Sequence, residues 1–271
     1  MRVSRITQIN LYPIKSCAGI SVESARLGSR GLSEDRCFML VDIKGRFLTQ
    51  RDYPSMSRIM VKRNIHGWTI EKEGQKSLNL PASLPTDKER IVRIWRDQIN
   101  VAVASDKYNQ WFSEAIGIQC ELVQMKDQHL RSIQPDRGRT NDLVSLADGS
   151  PVLLTSEASL FFLNQRLLTP VPMVRFRPNI VVSADTAFVE DNWRQIRVGE
   201  VEFEVGWSCT RCIVTTIDPM TSQKDINIEP IKTLKEFRSS PDGVIFGQNL
   251  IPRKLGIVKV GDVVEVLKEI D

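Results

Sequence analysis

Short runs of alternating apolar and polar residues dominate this chain. Residues 3–11 and 37–43 read as strands, the second running into a turn at Lys44-Gly45. Three further pairs of runs read as hairpins. Residues 91–95 and 99–103 flank Arg96-Asp97-Gln98, residues 196–198 and 201–205 flank Gly199-Glu200, and residues 257–260 and 263–267 flank Gly261-Asp262. Hairpins at this spacing predict sheets that close into a barrel or pack as a sandwich. Helices are predicted to be few and short. Ser105 is placed to cap one whose apolar positions Tyr108, Trp111, Phe112, Ala115 and Ile116 keep the helical repeat until Gly117. Residues 156–168 give a second, and residues 230–237 a third with Pro230 at its first turn. The predicted class is mainly β with short helices. The polar stretch 131–141, with Pro135, Gly138 and three arginines, reads as a long loop: a seam between halves, or a cover over a site.

Composition narrows the partners. Hydrophobic residues make up 41% and charged residues 26%, so 271 residues can fill one large core or two modest ones. Lys and Arg (37) barely exceed Asp and Glu (33), and no block of like charges resembles a nucleic-acid arm, so no nucleic-acid partner is expected. No apolar run approaches the roughly 18 residues of a membrane-spanning helix. Arg2, Arg5 and Lys15 interrupt any signal-peptide core. Five cysteines with one close pair disfavour a secreted disulfide framework, and a cytoplasmic location is expected.

That close pair carries the strongest chemical signal: Trp207-Ser208-Cys209-Thr210-Arg211-Cys212, directly before the strand-like run Ile213-Val214-Thr215-Thr216. Structural zinc would need two more ligands from His66, His129 and three scattered cysteines. A redox pair of the thioredoxin kind should lead from a strand into a helix, not into β-branched residues. Two half-buried strand cysteines are the plain alternative. Arg211 argues against it, because a cation beside a thiol favours the thiolate that binds soft metals. Four other clusters put polar groups at strand ends: Tyr12-Pro13-Ile14-Lys15-Ser16-Cys17, Glu34-Asp35-Arg36-Cys37-Phe38, Phe176-Arg177-Pro178-Asn179 and Phe246-Gly247-Gln248-Asn249. The first reads by itself as a strand ending at a Pro turn, and the last as a tight loop, with Gly247 allowing close backbone approach and two amides for hydrogen bonding; each alone is a weak signal. Together they supply Lys, Ser, Arg and amides suited to a phosphate and a polar heterocycle.

These clusters, with residues 155–160 (Thr-Ser-Glu-Ala-Ser-Leu) and Lys259-Val260-Gly261-Asp262, occur in an order that resembles the MOSC proteins over residues 6–267. The resemblance is to the mitochondrial amidoxime-reducing components and their bacterial relatives with a fused ferredoxin. It implies an N-terminal MOSC-associated β-rich domain (1–122) and a MOSC β-barrel (123–271), with a molybdenum cofactor (Mo-molybdopterin) held between them. It implies Cys212 as the catalytic metal ligand, with Cys209 outside the metal's own contacts. Lys15, Ser16, Arg36 and Arg177 carry over as cofactor anchors, with Asn179, Thr210 and Arg211 nearby. The activity implied is reduction of N-hydroxylated compounds such as amidoximes, hydroxylamines and hydroxylaminopurines. A cofactor or sulfur carrier without turnover is the alternative. The fused relatives continue into an iron–sulfur domain and the mitochondrial ones begin with a targeting and anchoring segment. Here Met1 lies just before the first strand, and no dense cysteine cluster precedes Asp271. The expectation is therefore that electrons come from a separate ferredoxin- or haem-type carrier with its reductase.

Overall fold

In the computed structural model, which describes residues 3–85 and 87–270, the alternating runs pair into a mainly β fold; Arg2 lies outside the described residues. The largest sheet among them runs, in spatial order, through strands Val264–Glu269, Trp193–Val198, Val201–Thr210, Gly243–Lys254, Val152–Ser156, Ile180–Val182 and Ile6–Leu11, with Ile20–Val22 beside the last. Its two ends meet. Arg5 bridges Val263, Ile6 N donates to Asp262 O at 2.9 Å, and Val264 N donates to Ser4 O at 2.8 Å. The seven strands thus close into a barrel, which removes open sheet edges. The strand period of two fills its interior: Val201, Phe203 and Val205 point into the core while Glu202 and Glu204 face outward. The N-terminal strand Ile6–Leu11 is one of the barrel's own staves.

A second sheet orders Phe38–Asp42, Cys120–Gln124, Asp97–Val103 and Glu89–Ile94, and a third joins Met60–Asn64, Gly67–Glu71 and Leu78–Pro81. Helix α1 (Asp106–Ile116) buries Trp111, Phe112 and Ala115 against Trp68, Leu80 and Leu122. It stops at Gly117 in the left-handed conformation (φ 83°), as its sequence predicts. Helix α2 (Glu157–Asn164) starts where Ser156 Oγ accepts Ser159 N. It ends four residues before the expected limit, because both side-chain groups of Asn164 bond the backbone of Val171 and turn the chain. Helix α3 (Ile231–Phe237) lies within the predicted span. No helix among the described residues is long and apolar enough to cross a membrane.

Four local expectations are corrected. Residues 246–249 are not a loop: they lie inside the strand Gly243–Lys254, because Gln248 and Asn249 pair with staves on both sides. The runs around Gly261-Asp262 are not a hairpin: Gly256–Lys259 pairs with Ser24–Gly28, whereas Val264–Glu269 pairs with Trp193–Val198. The turn itself is closed locally by Lys259 N on Asp262 Oδ2 (2.8 Å), so the sequence marks a turn but not the partners of its arms. Residues 213–216 form a 3-10 turn and not a strand. The Thr215 hydroxyl donates to Cys212 O and the Thr216 hydroxyl to Ile213 O, local bonds that outweigh β-branched preference. The turn of the 89–103 hairpin is Trp95-Arg96, since Asp97 pairs with Ile94. Two-residue hairpin turns demand positive φ, and Trp95 adopts 54° there.

Gly247 shows how closely the barrel is built. It sits at φ 81°, and a Cβ there would lie 2.6 Å from Leu154 O on the neighbouring stave. Gly247→Ala is expected to lower the unfolding free energy by about 1–3 kcal/mol or more, read as a lower urea midpoint. Gly149→Ala, with nothing within 4 Å of its Cβ position, is expected to stay within about 0.5 kcal/mol. Equal midpoints for the two variants would show that the backbone there gives way freely.

Candidate functional site

The scattered polar clusters meet at one cleft of about 770 Å³, whose lining includes Lys15, Ser16, Arg36, Arg177, Asn179, Thr210, Arg211 and Cys212. Barrel residues such as Leu153, Trp207 and Asn249 line it together with the loop residues Thr49, Gln50 and Arg51 and the hairpin-turn residues Trp95 and Arg96. Three of the motif residues, Ser16 (φ 67°), Arg36 (φ 47°) and Arg177 (φ 56°), occupy the left-handed region. Non-glycine residues there cost of order 1–3 kcal/mol each and are held only where surrounding contacts fix them. Here those contacts are visible. Arg36 N donates to Tyr12 O and Lys15 N to Phe38 O, which ties the first two clusters together.

Tyr12 is the hub. Its buried ring lies under the guanidinium carbons of Arg36 (4.4 Å) and Arg177 (4.2 Å). Burial pushes its phenol's pKa up, with the two arginines pulling the other way. Arg36 donates to Asp35 Oδ2 (2.6 Å), Asn179 Oδ1 (3.0 Å) and Arg177 O (3.2 Å). Asn179 in turn accepts Leu153 N and donates to Asn10 O, so it knots three barrel staves. Arg177 donates Nη1 to Cys17 O at 2.8 Å, but its Nη2 is buried without a partner. Burial lowers its pKa to about 10, which still leaves it charged at neutral pH. Arg211 Nε and Arg175 Nε are buried and unpartnered too. An unsatisfied buried donor costs about 1–3 kcal/mol and more when charged, so this wall suits an anionic, hydrogen-bond-accepting ligand.

Other expected residues are placed differently. Lys15 lines the cleft, but its ammonium is committed to Asp148 Oδ1 (2.5 Å) and Leu146 O (2.9 Å), so it is not a free anion anchor. Desolvation in the cleft wall opposes ionisation of Asp148, but the Lys15 charge outweighs it and holds the carboxyl well below the usual carboxylate range. Burial likewise lowers the Lys15 pKa. Ser16 offers its carbonyl to Gln50 Nε2 (2.7 Å). Thr210 closes the barrel ladder opposite Ile245. Arg211, expected beside the metal-binding thiol, instead donates to Cys209 Sγ at 2.8 Å. The cation beside the exposed Cys212 is Arg51, with Nη1 3.8 Å from Sγ. Among the described residues no three His, Cys, Asp or Glu side chains gather as a metal-ligand set.

Sequence reading missed Arg51, Trp95, Asp148 and Arg175. Arg51 and Asp148 sit in loops whose composition looks like an ordinary solvated surface, Trp95 reads as a strand end, and Arg175 lies two residues before the Arg177 cluster in a 3-10 turn, where nothing in its type sets it apart. The stretch 131–141 is also more ordered than a seam. Arg131 is buried, bonded to Asp97, Ser145 O and Asp148 O. Arg137 lines the cleft near Trp207 and pairs with Asp242 at 3.1 Å.

Residues 3–119 match the family described as the MOSC N-terminal beta barrel domain, and residues 141–265 match the MOSC domain. The chain is 35% identical to mitochondrial amidoxime reducing component 2 of Rattus norvegicus, over 96% of this chain and 82% of that protein. It is 31% identical to mitochondrial amidoxime-reducing component 1 of Homo sapiens, over 98% and 84%. It is also 33% identical to molybdenum cofactor sulfurase of Oryza sativa subsp. japonica, over 89% of this chain but 32% of that longer protein.

The thiols sort by environment. Burial pushes Cys17 and Cys37 up to about 12, while Cys212 is exposed. An aromatic disulfide reagent at pH 8 is expected to modify Cys212 fastest in the folded protein. Cys17 and Cys37 should stay unmodified at pH 8 and at pH 9 alike, because both values lie well below their pKa. A fast phase that survives in Cys212→Ser and grows tenfold between those pH values would contradict this assignment.

Proposed function

This chain belongs to the MOSC family, and from that premise we propose that it binds a molybdenum cofactor in the cleft and reduces N-hydroxylated compounds. The observation that carries the reading is the exposed Cys212 thiol beside a wall of buried guanidinium nitrogens without partners. A soft metal takes a thiolate, and a phosphate-bearing pterin takes charged planar donors. The residues fit the cofactor on both counts. Cys212 would hold the metal; Arg177 and Arg211, with Arg175, would hold the anionic and pterin edges. Arg36 would orient Arg177 by bonding its carbonyl, with Asn179 as the fixed point of both. Lys15, Ser16 and Thr210 would shape the rim.

When bound, the cofactor supplies the two-electron redox centre at which an N–O bond is broken. The balance is fixed: the substrate takes up two electrons and two protons, the N–O bond breaks, and water leaves. Electrons would come from a separate ferredoxin- or haem-type carrier with its reductase. The protein's part is to hold the metal through one thiolate, orient the cofactor through guanidinium forks and keep the cleft wall charged. The identity to a molybdenum cofactor sulfurase over 89% of this chain favours one second reading, a cofactor or sulfur carrier. Cys212 would then bear a persulfide.

Metal and sulfur content separate the two. Molybdenum near one atom per chain with turnover supports the reductase; labile sulfur without molybdenum supports the carrier. Cys212→Ser is expected to lose molybdenum, while Cys209→Ser keeps it. Arg177→Ala and Arg211→Ala should each weaken retention by about one to two powers of ten. Exposed Arg194 on the far strand Trp193–Val198 is the control and should change nothing. Retention by Cys212→Ser together with loss in Cys209→Ser would reverse the ligand assignment.

Electron delivery gives an independent test. Purified protein is expected to show no NADH-dependent reduction of benzamidoxime by itself, and to turn over once a carrier and its reductase are added. Unaided NADH turnover would mean an electron-entry site inside this chain.

A further inference from the structure

Beside Cys212, the far wall of the cleft carries a group of side chains that the cofactor reading does not use. Trp95 sits at the tip of the 89–103 hairpin in a backbone conformation that favours glycine, and its indole remains 45% exposed. It is nevertheless held from three directions. Its Nε1 donates to Asp148 Oδ1 at 3.2 Å, Phe47 meets it edge-on at 5.1 Å, and the Arg51 guanidinium lies 4.6 Å from its ring centroid. The positive φ is what the two-residue turn requires, but a large aromatic ring fixed in orientation and left half in solvent fills no core, so it presents a flat face to the cleft.

The charge around it is unbalanced. Arg51 reaches Cys212 with one nitrogen, and neither it nor Arg96 pairs with a carboxylate among the described residues. Arg96 follows Trp95 directly in the turn and is exposed. The single acid of the cleft lining, Asp148, is already committed to Lys15 and to the Trp95 indole. The cleft mouth therefore presents a flat aromatic–guanidinium surface next to the thiol that faces solvent, with Arg51 sharing the field of Asp148 and Arg96 without a close carboxylate among the described residues.

The geometry points to Trp95, Arg51 and Arg96 as a substrate subsite for planar, aromatic N-hydroxylated compounds that carry an anionic group, a carboxylate or phosphate, away from the N–OH. This rests on the reductase reading for the N–OH chemistry, but not for the binding. The ring lies against the indole and the guanidinium plane, which tolerates any flat π-system. The anion pairs with Arg51 or Arg96, whose fork matches a carboxylate or phosphate. Arg51 links the two functions, since its other contact is Cys212. A neutral ring keeps the stacking and loses the charge pairing, so the subsite sets specificity rather than rate.

Calorimetric titration of the purified full chain with terephthalamate and with its neutral diamide tests the subsite without N–OH chemistry. The carboxylate is expected to bind about tenfold more tightly at low salt, with the preference shrinking at 0.5 M salt. Arg96→Gln, an exposed change that leaves folding alone, and Arg51→Gln should each cut that preference to about threefold or less, and Trp95→Leu should weaken both ligands together. In turnover with a carrier, 4-carboxybenzamidoxime should show a lower KM than benzamidoxime at similar kcat, and Arg96→Gln should remove the KM difference. Equal affinity of wild type for the two amides, or an unchanged preference in both arginine variants, overturns the subsite even if amidoximes are reduced. A charge preference that both arginine changes remove, in a protein that reduces no N–OH compound, leaves the subsite standing and removes the reductase reading instead.

Discussion

The site is organised by a cost: several guanidinium groups are held together in a partly dry wall without enough acceptors. Arg36 has Asp35, but Arg177, Arg211 and Arg175 each keep a buried nitrogen with no partner. Like charges at short range repel, and desolvation compounds the penalty. The fold offsets this with backbone carbonyls (Cys17 O, Phe176 O, Arg177 O) and with the face of Tyr12. What remains unsatisfied is an affinity for an anion. Polar residues in the cleft can be understood by how they bear on that cost: Asn179 Oδ1 accepts from Arg36, and Lys15 and Asp148 neutralise each other at the edge.

Such an arrangement requires rigid support, and barrel closure provides it. Residues 4–6 bond residues 262–264, so the first strand becomes a stave between Ile180–Val182 and Val264–Glu269. The cluster at Tyr12 to Ser16 leaves the end of that stave, and the cluster at Arg177 to Asn179 precedes the stave beside it. The pairing of these two staves brings Tyr12 and Arg177, 165 positions apart, together. The left-handed turns at Ser16, Arg36 and Arg177 then aim side chains into the cleft that an extended strand would send to solvent or core. The two walls differ in character. The barrel side is crowded with buried donors, whereas the opposite side carries an exposed indole and cations with room to move.

Much of the fold was legible because it is set by local periodicity. The period-two runs marked most barrel staves, and Ser105 and Gly117 bounded helix α1 within its observed limits. The failures came where the deciding partner is distant or where a short side chain competes with the backbone. The Gly261-Asp262 turn looked like a hairpin because turn chemistry is local while strand pairing is not. The Thr215 and Thr216 hydroxyls bent a β-branched run into a 3-10 turn. Arg211 lies between the two cysteines in sequence, and only the fold decides that its guanidinium serves Cys209.

By itself, the sequence determined the mainly β class, the presence of a polar cluster at several strand ends and the candidate set that includes Lys15, Ser16, Arg36, Arg177, Asn179, Thr210, Arg211 and Cys212. The class and the clusters follow from residue type and short spacing, which act within a few positions; the choice of these residues within the clusters follows from the resemblance to the MOSC proteins. Only the tertiary structure decided that this whole set lines one cleft, that the Lys15 charge is already spent on Asp148, and that Arg51 stands beside Cys212. Arg51, Trp95 and Asp148 carry no local signature, since a loop arginine in water and one over an indole have the same neighbours in sequence. Electrostatic and stacking contacts depend on distances through space, and the packing of the loops and the second sheet against the barrel is what sets those distances.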